Sequence, residues 1–226
     1  MRGWVSSRRK EGAAGRRGLW LVVLFLTLTP AWAEGEAPGA FDYYVLSLSW
    51  SPSWCALEGD ARGARQCEDG RGFGWVVHGL WPQNERGWPS YCRSGFRPPS
   101  RAETAAMADI MGAGGVAWHQ WKKHGTCSGL KPQDYFRLIR LAWGRINRPD
   151  VLRRLKRPVR LPARVIEDAF LKANPGLTPD MVTVTCRQDR IQEVRLCLTR
   201  GLEPRACAPD TARDCTLERA LLAPVR

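Results

Sequence analysis

Several stretches of the chain alternate apolar and polar positions with period two, the pattern of strands whose two faces are differently buried. Residues 41–50 predict one such strand. Tyr44, Leu46, Leu48 and Trp50 share one face, Val45, Ser47 and Ser49 the other, and Ser51-Pro52 closes it because proline brings no N–H to a central ladder. Residues 73–78 predict a short strand that delivers His78 into Gly79-Leu80-Trp81-Pro82, with Pro82 biasing Trp81 toward extended geometry. Residues 181–186 and 191–198 predict a hairpin turned at Gln188-Asp189, with Ile191, Val194, Leu196 and Leu198 as its apolar side.

Between these strands the period changes to that of helices. Residues 102–111 are Ala-, Glu- and Met-rich without a breaker and end at Gly112, Gly114 and Gly115; a short helix follows from Val116 to about His124, capped by Gly125. Pro132 opens a helix to about Arg145 with Tyr135, Phe136, Ile139 and Trp143 on one stripe. Leu161-Pro162 opens another through Lys172, its buried side predicted as Val165, Ile166, Ala169 and Phe170, and Asn174-Pro175-Gly176 ends it. Residues 62–74 and 83–100 read as loops. Short strands and isolated helices without a βαβ rhythm point to an α+β fold.

The N-terminus differs from this pattern. Six basic residues between Arg2 and Arg17 stand against a lone Glu11 and precede the apolar run Leu19-Trp20-Leu21-Val22-Val23-Leu24-Phe25-Leu26. Ala31-Trp32-Ala33 then supplies the small-x-small pattern of signal cleavage. The run is shorter than the roughly 20 residues that span a bilayer. Residues 1–33 are therefore expected to be a signal peptide. Residues 34–226 are expected to form one exported domain, periplasmic or extracellular, with no membrane contact after cleavage. The formal net charge of the whole chain is +13. The leader holds few of the charges, so a basic surface that attracts polyanions survives its removal.

All eight cysteines, Cys55, Cys67, Cys92, Cys127, Cys186, Cys197, Cys207 and Cys215, lie in the exported part. An even count behind an export signal predicts four disulfides, enough to brace a monomer, in one of on the order of a hundred connectivities. No Cys-x-x-Cys pair is present, which argues against zinc and thiol redox chemistry.

The chain has three histidines, and each lies among tryptophans, lysines and glycines. His78 stands in His78-Gly79-Leu80-Trp81-Pro82-Gln83; the others stand five apart in Trp118-His119-Gln120-Trp121-Lys122-Lys123-His124-Gly125-Thr126-Cys127. On a helix, His119, Gln120, Lys123 and His124 fit within an arc of roughly 140°. Trp118 and Trp121 are expected on the opposite side, packed into the core. A zinc protease needs histidines four apart around a carboxylate base, and a serine hydrolase needs a Gly-x-Ser-x-Gly turn; neither pattern is present. Acid–base cleavage of RNA fits better, because the nucleophile is the substrate's own 2′-hydroxyl. The protein then needs only a base, an acid and positive charge on the phosphate, with no metal or cofactor. Trp81, Tyr44 and Trp50 are candidate substrate-binding surfaces for a base.

Those two histidine blocks, in this order and preceded by Phe41-Asp42-Tyr43-Tyr44 and Trp50-Ser51-Pro52, resemble the ribonuclease T2 family over essentially the whole exported chain. The resemblance implies a central antiparallel sheet flanked by helices, and metal-independent endonucleolytic cleavage of RNA through a 2′,3′-cyclic phosphate to a 3′-phosphate. It implies His124 as general base, His78 as general acid, and His119 and Lys123 at the phosphate, with Trp81 touching substrate. It also implies Cys55–Cys67, Cys92–Cys127, and Cys197–Cys207 nested inside Cys186–Cys215. The departure is Gln120, where the family commonly has glutamate. Glutamine keeps size and hydrogen bonding but loses the charge, so the base beside it is expected to be less basic and the enzyme slower, with a shifted pH optimum. A catalytically weak or inactive RNA-binding homologue is the alternative that this position leaves open.

Overall fold

The computed structural model describes residues 37–226; the signal peptide expected at 1–33 lies outside the described residues. Six strands form one sheet: β1 (Tyr43–Trp50), β2 (Trp75–Gln83), β3 (Val159–Leu161), β4 (Val182–Arg187), β5 (Arg190–Leu198) and β6 (Ala220–Leu222). The order is β2-β1-β5-β6-β3, with β4 also paired to β5. All ladders are antiparallel except the single parallel pairing of β5 with β6 at Arg190 and Leu221. The helices are α1 (Ser51–Trp54), α2 (Arg101–Ala105), α3 (Ala108–Met111), α4 (Gly114–Lys123), α5 (Pro132–Arg145), α6 (Asp150–Arg153) and α7 (Arg164–Ala173). No described helix is long and apolar enough to cross a membrane.

Alternation along the strands divides the sheet into two unlike faces. Tyr44, Leu46, Leu48 and Trp50 of β1 join Val77 and Leu80 of β2, Val194, Leu196 and Leu198 of β5, and the buried stripes of α5 and α7 in the main core. Ile166 and Phe170 are the fully buried residues of α7, whereas Val165 is exposed and Ala169 half-buried. The helix is therefore rotated from the stripe expected from composition. The opposite face holds a smaller cluster of Tyr43, Val45, Cys197 and Ala208, with Trp81 and Cys207 packed against it.

The four disulfides are Cys55–Cys67, Cys92–Cys127, Cys186–Cys215 and Cys197–Cys207. The last two staple the tail to the β4–β5 hairpin, and Cys92–Cys127 ties the 84–100 loop to the turn after α4. Three local expectations change. Ser51-Pro52 ends β1 but also begins α1, where proline is tolerated in a first turn. The helix expected over 102–111 divides into α2 and α3, and Gly114 and Gly115 open α4 rather than precede it.

Candidate active site

The site forms on the minor face of the sheet, and strand register explains how. Val45 is opposite Trp81 and Cys197, Ser47 opposite Gly79 and Arg195, and Ser49 opposite Val76 and Glu193. Directly opposed residues share a face, so Trp81 of β2 and Glu193 and Arg195 of β5 project on the same side of β1. Ser47 pairs with Gly79 and Leu48 with Val77, which leaves His78 as the extra residue of a bulge. A bulge re-aims a side chain that strict alternation would place elsewhere. His78 reaches across β1 to Glu193, over a strip where β1 carries only serines.

The contact is close. His78 Nδ1 lies 2.5 Å from Glu193 Oε1. Glu193 is 1% exposed, and its Oε2 accepts from Arg195 Nε at 3.0 Å and Nη2 at 2.8 Å. Burial pushes the Glu193 carboxyl up, but the hydrogen bonds and charges of His78 and Arg195 outweigh it and hold it at about 2. An ionised carboxylate only accepts, so the His78 ring must carry a hydrogen on Nδ1.

The second histidine block arrives on α4. Its buried residues are Ala117, Gln120, Trp121 and His124, the i, i+3, i+4, i+7 stripe of an inward-facing helix side. Gln120 (2% exposed) and His124 (5%) therefore belong to the inner wall, while His119 is exposed and Lys123 half-buried at the rim. Trp121 packs into the core against Tyr135, but Trp118 is 43% exposed and does not, because it lies outside that stripe.

Trp81 holds the two blocks together. Its Nε1–H donates to Gln120 Oε1 at 2.7 Å. Its ring stacks on His124 with centroids 5.3 Å apart and planes at 26°, meets His78 edge-on at 5.3 Å, and lies under the Arg195 guanidinium at 5.3 Å. Gly79 makes this possible, since a Cβ there would overlap both Gln120 Oε1 and the Trp81 indole nitrogen.

His124 has a very different environment from His78. Its Nδ1 is enclosed with no partner among the described residues. Burial first, then the positive charges of Lys123, His78 and His119, push its imidazole down to about 3. His119 is also held below its ordinary value, by partial burial and then by Lys123, His78 and Lys122. A cavity of about 230 Å³ opens beside His124, walled by Trp81, Trp88, Lys123, Arg195 and Asp210. A second, of about 170 Å³, has His78 and Glu193 in its wall.

Five expected residues thus converge: His78, His119, Gln120, Lys123 and His124, with Trp81 among them. Two do not. Trp50 is fully buried, donates its Nε1–H to the Ala223 carbonyl at 2.9 Å and packs on Trp75. Tyr44 is buried against Phe41, and burial pushes its phenol up to about 12, with Arg200 opposing. Both belong to the core and offer no surface to a substrate. Glu193 and Arg195 were not expected, because nothing local in the sequence places β5 beside β1. Among the described residues, no cluster of three or more His, Cys, Asp or Glu gathers to hold a metal.

Comparison with known proteins adds the following. The model of the Ribonuclease T2 family matches residues 41–207. A ribonuclease of Aeromonas hydrophila is 42% identical over 124 residues, covering 52% of this chain and 54% of the relative. A probable ribonuclease of Haemophilus influenzae is 35% identical over 113 residues, covering 45% and 42%. The chain spans about half the length of the curated relatives it matches. Among solved structures, an RNase-related protein from Calystegia sepium superposes with a TM-score of 0.61 at 19% identity, over 82% of this chain and 97% of that one. That likeness shows the fold.

Proposed function

The chain belongs to the ribonuclease T2 family, and from that premise we propose that it is an exported, monomeric, metal-independent endoribonuclease that cleaves RNA through a 2′,3′-cyclic phosphate. The observation that carries the reading is the pair of imidazoles, His78 and His124, delivered from different segments against one indole.

In the first step His124 takes the proton of the ribose 2′-hydroxyl as O2′ attacks phosphorus. His78 gives a proton from Nε2 to the departing 5′-oxygen, and the P–O5′ bond breaks. In the second step water takes the place of the leaving group, the two histidines exchange roles, and the cyclic ester opens to a 3′-phosphate. His119 and Lys123, on the rim of α4, supply positive charge to the phosphate oxygens as negative charge develops. Gln120 acts through Trp81: its carbonyl anchors the indole that both imidazoles contact. The cavity beside Trp81 and Trp88 accepts a base by stacking. DNA is excluded because it lacks the attacking hydroxyl.

A second reading, an inactive RNA-binding homologue, is favoured by one observation: position 120, one helical turn before a His124 already pushed down to about 3, carries an amide rather than a carboxylate. Oxidised, refolded protein incubated with RNA in excess EDTA separates the readings. Fragments ending in 2′,3′-cyclic phosphate support the enzyme. RNA retained without cleavage supports the inactive homologue. Activity lost on chelation and restored by a divalent metal would overturn the metal-independent mechanism.

A further inference from the structure

The function proposed above uses His78 as a proton donor and leaves one buried charged group beside it without a role. Glu193 is 1% exposed, and Arg195 already neutralises it with two hydrogen bonds to Oε2. If Glu193 only served the packing of β5, that bidentate pair would suffice. Instead its other oxygen, Oε1, is aimed across β1 at the catalytic imidazole. It lies 2.5 Å from Nδ1 and 3.4 Å from Ser49 Oγ, which also donates to it. The bulge at His78, the Ser49 hydroxyl and the register that sets Glu193 opposite Ser49 bring the two groups together.

We infer that Glu193 is a positioning residue for His78: it binds Nδ1–H and fixes the ring's orientation, so that Nε2 is the nitrogen presented to the leaving 5′-oxygen. The inference rests on His78 being the proton donor. During cleavage the Nε2–H bond breaks as the O5′–H bond forms and the P–O5′ bond opens. The electrons of the broken N–H bond stay on Nε2, Nδ1–H stays on the ring, and Glu193 remains a carboxylate throughout. Arg195 has a paired task, clamping Glu193 through Oε2 and lying over the Trp81 ring.

Other charged groups also face His78. Glu58, from the turn after α1, interacts with His78 while it is ion-paired to Arg187 of β4. His119 and His124 of the α4 segment interact with His78 from the other side. Among the described residues, Glu193 is the one that hydrogen-bonds a nitrogen of the ring, Nδ1.

The test is Glu193→Gln, assayed on two substrates in EDTA. An RNA dinucleotide has an alkoxide leaving group that needs a proton; uridine and adenosine 3′-(4-nitrophenyl) phosphates release a phenolate that does not. The variant should lose ~10²–10³-fold in kcat on the dinucleotide. Its KM should stay unchanged, since the buried carboxylate does not reach substrate. Turnover of the aryl esters should remain close to wild type, which also reports that the variant is folded.

Equal loss on both substrate types, or no loss on either, overturns the inference. In the wild type, the Nδ1 proton of His78 should give a slowly exchanging, downfield NMR signal that Glu193→Gln abolishes; its absence in the wild type also overturns it. If the wild-type protein cleaves neither substrate while that signal is present, the endoribonuclease reading fails, not the contact.

Discussion

Replacing Gln120 by glutamate isolates the electrostatic consequence of the one position where the histidine blocks depart from the family pattern. The side chain is 2% exposed and its Oε1 already accepts the Trp81 indole N–H at 2.7 Å. A carboxylate of the same size keeps that bond and adds a negative charge one helical turn before His124, whose ring stacks on the same indole. An opposite charge within ~4–6 Å raises the pKa of a histidine by ~1–3. The imidazole now held at about 3 should therefore rise to between ~4 and ~6. Since the base must be neutral to act, the acid limb of the rate profile moves up by the same interval. With a Brønsted sensitivity of roughly 0.5, the stronger base should accelerate cleavage at neutral pH by ~3–30-fold. The assay is the initial rate on a labelled RNA oligonucleotide from pH 3 to 9 in EDTA, with near-UV circular dichroism to verify the fold. An acid limb that does not move, or a rate equal to or below wild type across the profile, would refute the argument.

Two further outcomes follow from the same geometry. Gly79→Ala forces a Cβ into Gln120 and Trp81; overpacking of this kind costs ~1–3 kcal/mol, and should lower the melting temperature by a few degrees and slow RNA cleavage, whereas a wild-type melting curve and rate would show that the indole is free to move. Acid should destabilise the fold in two stages. His124 falls from 6.5 to about 3 on folding, so the unfolded chain binds the extra proton between those values and up to ~5 kcal/mol is lost as pH drops through that window. Glu193 falls from 4.5 to about 2, so a further ~3 kcal/mol is lost between those values. Guanidinium unfolding with disulfides intact at pH 7, 5 and 4 measures the first stage, and a stability that stays flat over that range contradicts it.

The elements most legible in the sequence were those whose signals are local. β1, β4 and β5 follow period-two alternation, and α5 follows Pro132 and its stripe over its full length. β3 and β6 were missed because three residues carry no period. The break between α2 and α3 at Ala106 and Met107 coincides with no breaker residue, and Met107, Ile110 and Met111 around it are buried in the core. The same alternation that located β1 also puts Tyr44 and Trp50 beside Leu46 and Leu48 on the core face, which is why neither reaches a substrate. On α4 the error ran the other way. Polarity suggested that Gln120 and His124 face outward, but the spacing 117, 120, 121, 124 is that of a buried stripe.

The pairing of Glu193 with His78 was illegible for a different reason: the residues are 115 apart in sequence and meet only because β5 returns to lie beside β1. Yet this nonlocal contact bears on the chemistry independently of family membership. Two imidazoles flank Trp81 in opposite surroundings. One is enclosed, has an unpartnered Nδ1 and is surrounded by cations, so it stays neutral and is fit to accept a proton. The other gives its Nδ1–H to a buried carboxylate that is held ionised, which leaves Nε2 as its free nitrogen. Groups whose environments drive their protonation states apart are the acid and base of a site. These unlike surroundings support the proposed division of roles, His124 as base and His78 as acid. On this argument the charge missing at Gln120 limits the strength of the base and leaves the acid untouched, because the acid's carboxylate comes from a different strand.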